Sequence, residues 1–198
     1  AAAAAQGTAP PVPKAIIAPH AGYVYSGAVA ATAYARLLPA ADRIRRIVLL
    51  GPSHRVGFRG LAVTTATAYE TPMGPVPLDR DAALRLKSLA AVVEHDTAHV
   101  PEHSLEVHLP FLQSMLPSFT LLPLVVGDAA PAEVARVLEA VWGGPETAIV
   151  ISSDLSHYEP YDVAQRIDGQ TANAIVQLDR KSTRLNSSHT DISRMPSS

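Results

Sequence analysis

Cysteine is absent from all 198 residues, which removes disulfides, thiolate metal sites and any cysteine nucleophile. The same absence suits a reducing, cytoplasmic setting. Charge of one sign is also lacking. The formal net charge is −2 with no basic stripe, so a nucleic-acid partner has no electrostatic support. No apolar run approaches the roughly 18–20 residues that a membrane helix needs, and a soluble protein is expected, with no membrane partner. Ala1–Ala5 has neither the basic flank nor the apolar core of a secretory signal. Neither a G-x-G-x-x-G dinucleotide loop nor a phosphate-binding P-loop occurs. Ser53, Ser152, Ser153 and Ser156 lie outside any G-x-S-x-G elbow, which leaves a serine-hydrolase reading weak.

What is present is a core. Hydrophobic residues make up 47% of the chain and charged ones only 17%, a balance that suits a packed globular domain rather than disorder. The last twenty residues break with this pattern. Up to Leu178, arginine outnumbers lysine ten to two, whereas the tail holds six serines in twenty positions and no apolar period. Asp179 to His189 is similar to an in-frame translation of a sequencing-adapter oligonucleotide. The expected organisation is one domain over residues 1–178, followed by a non-native, disordered tail over 179–198.

Within the domain, short apolar runs alternate with helical patterns. Strands are expected at Lys14–Ala18, Ile47–Leu50, Leu61–Thr65, Thr120–Val126 and Thr147–Ser152. Pro123 hints that the fourth of these is an edge or bulged strand. Helices are expected over Ser26–Leu38 with Ser26 as N-cap, from Asp79 to about Leu89, over Pro131–Trp142 and over Val163–Leu178. Ser104–Leu116 has helical spacing, with Pro110 kinking it or delaying its start. Tyr69–Pro77 reads as loop, and Gly22, Gly27 and Gly51 as turn glycines. The alternation predicts an α/β sheet covered on both faces.

Ligands of such sheets bind beyond the C-terminal strand ends, and three polar segments fall there. One strand leads into His20 and Tyr23, the next into His54, and the last into Asp154, His157 and Tyr158. Parallel neighbouring strands would bring His20, His54, Asp154 and His157 to one rim. Imidazole is the commonest side-chain metal ligand, and carboxylate completes iron or zinc sites. His103 and His108 lie five residues apart, about 500° of helical rotation, so they do not share a helix face; one of them is expected to line the cleft. Glu102 reads as a helix-dipole partner, and His95 and His99 as surface-loop residues.

Four segments taken together, AIIAPHAGYVYSG (15–27), LLGPSH (49–54), EHSLEVHLPFL (102–112) and SSDLSHY (152–158), resemble the Memo family, which includes the AmmeMemoRadiSam system protein B. That family is similar in fold to class III extradiol dioxygenases. The resemblance implies a three-layer α/β fold, with a mixed, mostly parallel sheet flanked by helices and truncated at both ends. It implies His20 and His54 as the first two ligands of a divalent metal, Fe(II) ahead of Cu or Zn. The family's third ligand, a later cysteine, is absent from this chain. Asp154 and His157 are implied as a pair in the same cavity, with His157 as acid–base, while Tyr23, His103, His108 and Tyr158 line it. Two functions remain open: a dioxygenase-like, metal-dependent oxidoreductase, or a non-catalytic module that binds a peptide, partner protein or metal in the same cleft. The family name implies a pathway shared with a radical-SAM protein. The small-molecule or peptide ligand is unknown.

Overall fold

The computed structural model describes residues 11–177, and the chain divides into two compact units between Ser153 and Asp154. The expected tail, 179–198, lies outside the described residues. In the first unit the strands are β1 (Ala15–Ala18), β2 (Arg46–Pro52), β3 (Leu61–Val63), β4 (Ala68–Tyr69), β5 (Val76–Pro77), β6 (Val92–Glu94), β7 (Thr120–Val126) and β8 (Thr147–Ser152). Its α-helices are α1 (Tyr23–Ala35), α2 (Arg80–Leu86), α3 (Asp96–His99), α4 (Leu109–Met115) and α5 (Pro131–Val141). The second unit contributes α6 (Tyr161–Val176).

Six strands form one sheet in the order β1-β8-β2-β7-β3-β6, and β4 pairs with β5 as a separate ribbon. The β1, β8, β2 and β7 ladders are parallel; β3 runs antiparallel to β7 and parallel to β6. The sheet is thus mixed and mostly parallel. Strand β2 shows why it is buried on both faces. Ile47 and Leu49 pack with Tyr34 and Leu37 at the α1 end and Leu109 and Leu112 of α4. The alternate residues Val48 and Leu50 pack with Ala82 and Leu86 of α2 and Val137 and Val141 of α5. Side chains of period two therefore feed two apolar layers, each fully buried Leu or Ile contributing about 1.5–3 kcal/mol.

Local chemistry sets the ends. Asp79 caps α2 by accepting from the Ala82 N–H at 2.9 Å. Pro131 opens α5, and Glu133 reaches back to the Ala130 N–H at 2.7 Å.

Several sequence expectations are corrected. Helix α1 starts at Tyr23, so Ser26 sits inside its first turn and donates to Ala21 O at 2.7 Å instead of capping. Pro110 lies at the start of α4; the stretch before it is a 3-10 turn over Glu106–His108, and the helix begins late because proline suits a first turn. Residues 69–77 contain the end of β4 and all of β5, and β6 and α3 carry too few residues to show a period. Strand β7 is internal, flanked by β2 and β3. Pro123 is tolerated because its missing N–H points to the β3 side, as does Leu121 O, which accepts from Asp79 N. On that side the partners are Leu78 at Leu121 and β3 only at Val125 and Val126. Gly51 lies inside β2, not in a turn.

In the second unit, Asp168 on α6 accepts from the backbone N–H and the hydroxyl of Ser156, both at 3.0 Å. This holds a loop in which Leu155 and Tyr158 adopt left-handed backbone, φ 64° and 59°, conformations that cost roughly 1–3 kcal/mol each for such residues.

Candidate metal centre

The register aligns the C-terminal ends of three neighbouring strands: Ala18 of β1 pairs with Ser152 of β8, and Leu50 of β2 pairs with Ile151. His20 follows β1 by two residues, and His54 follows β2 by two. Parallel pairing thus delivers both imidazoles to one rim, with ring centroids 5.1 Å apart. A third ring joins them from the loop before α4. His103 lies 5.8 Å from His20 and 5.2 Å from His54, centroid to centroid.

Each of the two strand-end histidines is held from behind. His20 is buried, and its Nδ1 lies 2.5 Å from Ser152 Oγ. The Ser152 hydroxyl has one proton, which it donates to Ser104 O at 2.6 Å. The Nδ1 of His20 must therefore carry its own proton, and the ring's lone pair resides on Nε2. His54 arrives at the same tautomer by another route. Its Nδ1 lies 2.9 Å from Glu102 Oε1, and its backbone N–H donates to Glu102 Oε2 at 2.6 Å. An ionised carboxylate only accepts, so Nδ1 is protonated and Nε2 is the donor atom for a ligand.

Glu102 is nearly fully buried and accepts a third bond, from Ser104 N at 2.9 Å. Burial alone would push its pKa up; the hydrogen bonds from the His54 ring and backbone and from Ser104 outweigh that and hold it at about 2. The residue read from sequence as a helix-dipole partner is instead the anchor of His54. No local signal marked it, because its partner His54 lies 48 residues away.

The other expected site residues fall as follows. His103 is half-exposed, with Nδ1 3.6 Å from Glu102 Oε1. His108 is fully buried, its Nδ1 2.8 Å from Tyr34 Oη. Tyr23 is half-exposed, donates to Val107 O at 3.0 Å and sets its ring edge-on to Phe111. In the second unit, His157 donates from Nδ1 to Leu155 O at 3.0 Å, and its Nε2 lies 3.9 Å from Asp154 Oδ2. Tyr158 is exposed. His99 is a correction. It is buried, donates from Nε2 to Ala62 O at 3.1 Å and accepts from Tyr69 Oη at 2.7 Å, so it is a core residue and not a surface-loop one.

The donor chemistry fits a divalent ion: two imidazoles of matching tautomer, each with an outer hydrogen-bond partner, as metal-ligating histidines regularly have. His54, Glu102 and His103 additionally each offer one ligand atom within 4.8 Å of one another. Among the described residues no helix is long and apolar enough to cross a membrane.

The Memo-like protein family profile matches residues 5–193. A MEMO1 family protein of Methanothermobacter thermautotrophicus is 35% identical over 84% of this chain and 62% of its own length. One from Ignicoccus hospitalis is 41% identical over 81% of the chain and 59% of its own, and one from Aquifex aeolicus 39% identical over 84% and 62%. The chain therefore spans about 60% of the length of these curated relatives.

Proposed function

The chain belongs to the Memo family, and on that premise we propose that His20 and His54 supply two ligands of a divalent metal centre, Fe(II) in the working protein, within an oxidoreductase of extradiol-dioxygenase type. The observation that carries this reading is the imidazole pair at 5.1 Å, with both Nδ1 protons committed to protein acceptors, which makes Nε2 the coordinating atom of each ring. Bound there, a ferrous ion would supply Lewis acidity and redox chemistry for a small-molecule substrate.

The chain's own residues do the remainder. The network behind His20 and His54 fixes ring angles before any ligand arrives. His157 moves the proton at Nε2, since its Nδ1 proton is engaged by Leu155 O. Asp154 Oδ2 stands 3.9 Å from that Nε2. Tyr23 and Tyr158 orient the substrate, and His103 lines its entry. The protein works in the cytoplasm, in a pathway shared with a radical-SAM protein.

Anaerobic titration with Fe(II), followed by oxygen-consumption assays with catechols, tests this. Stoichiometric uptake lost in the His20→Ala/His54→Ala variant, with catechol-dependent oxygen uptake lost in His157→Ala, is the expected result. Iron retained in the double variant overturns the site; metal uptake without turnover overturns the catalytic part and leaves a metal- or peptide-binding module.

A further inference from the structure

The two strand-end histidines share a support that the family resemblance did not imply. Glu102 and Ser104 lie two residues apart, yet they reach both rings. Glu102 holds the His54 backbone and Nδ1. Ser104 O accepts from Ser152 Oγ, which in turn accepts from His20 Nδ1. The segment is itself pinned: Ser104 N donates back to Glu102 Oε1 at 2.9 Å, and Ser104 Oγ donates to Pro52 O at 2.8 Å, two residues before His54. Ser104 is fully buried, and Ser152 and Glu102 are nearly so.

We propose that residues 102–104 form a single positioning clamp that sets the tautomer of His20 and His54 together, through Ser152 on one arm and Glu102 on the other. The clamp rests on the metal-site reading above and deepens it. Its physical content is a proton count. The hydroxyl of Ser152 has one proton and gives it to Ser104 O, so it can only accept from His20; the carboxylate of Glu102 has none and can only accept from His54. Neither ring can therefore put its proton on Nε2 without breaking one of these hydrogen bonds, buried at His20 and part-buried at His54. Because both arms end on one short segment, a displacement of 102–104 disturbs both ligands at once. Glu102 and Ser152 act through the histidines and are positioning residues.

Side-chain nitrogen NMR of the metal-free chain, paired with Co(II) binding measured against a competing chelator, tests the clamp. Both His20 and His54 are expected as Nδ1–H tautomers. In Glu102→Gln the amide can donate to Nδ1, drawing the His54 proton to Nε2, while His20 keeps its tautomer; Co(II) affinity falls about 10–100-fold. Ser152→Ala is expected to release His20 and spare His54, with a loss of the same order. Either histidine carrying its proton on Nε2 in the unsubstituted chain overturns the clamp, and that spectrum decides the matter even where a variant fails to fold. Co(II) affinity unchanged within about twofold in both variants overturns it as well. No Co(II) uptake by the unsubstituted chain, or undiminished uptake by His20→Ala/His54→Ala, overturns the metal reading and the clamp's purpose with it. The tautomer and variant results test the clamp alone.

Discussion

Glu102 grips His54 at two points, the backbone N–H at 2.6 Å and the ring Nδ1 at 2.9 Å, across 48 residues of sequence. A near-fully buried carboxylate with three donors is a structural anchor as much as an electrostatic one. Replacing it with alanine leaves the N–H groups of His54 and Ser104 without that acceptor, at a cost of roughly 1–3 kcal/mol for each buried group left unsatisfied. Urea denaturation of Glu102→Ala is expected to show a lowered midpoint at unchanged slope. A midpoint within error of the unsubstituted chain would show that the carboxylate is not stabilising.

Gly51 makes the same region tight. A Cβ there would stand 2.7 Å from Ser104 Oγ and 2.8 Å from Leu105 Cδ2, so Gly51→Ala forces the 104–105 segment outward. Overpacking of this kind costs about 1–3 kcal/mol. Thermal unfolding is expected to move down accordingly, and His54 backbone resonances to shift because Pro52 O loses its tie to Ser104 Oγ.

Tyr34 and His108 form a buried pair at 2.8 Å beneath α1. Tyr34→Phe keeps the ring stacked on Phe111, 5.0 Å between centroids, and removes the hydroxyl alone. The expected loss is about 1–3 kcal/mol, read from chemical denaturation; a neutral result would mean that His108 Nδ1 finds another partner.

Acid sensitivity is expected from His99. Burial lowers its pKa below the ordinary 6.5, against the smaller raising effects of Ala62 O and Asp96. Below about pH 6.5 the unfolded chain takes up this proton before the folded chain does, so stability present above that pH declines as pH falls. Replacement by glutamine, which keeps a donor and an acceptor, should flatten the decline between pH 7 and 5 (about one proton's worth of slope). Identical slopes would remove His99 as the cause. Asp96 titrates lower, at about 2, because the hydroxyls of Thr64 and Thr65 and the Thr65 N–H hold its carboxylate. Its contribution persists down to pH 4 and disappears towards pH 2.

Much of this was legible in the chain. The runs IVLL and TAIVIS announced buried parallel strands because nothing polar interrupts them, and His20 and His54 stood out by following such runs. Less visible were features fixed by tertiary pairing. Pro123 argued for an edge only while the gap between Leu78 and β3 was unknown. Glu102 looked like a dipole partner because its true partner is 48 residues away. His99 looked exposed because Tyr69 and Ala62, which bury it, come from other elements.

Strand order also gives the rim an unintended diagnostic. His20 and Ser152 are separated by 132 residues and meet only because Ala18 lies opposite Ser152. A slip of one position along β1 would turn His20 towards the opposite side of the sheet. Ion capture at the proposed imidazole site would therefore double as a gauge of alignment between β1 and β8. A refolding time course followed by cobalt absorbance would register when that alignment locks, independently of when helices form.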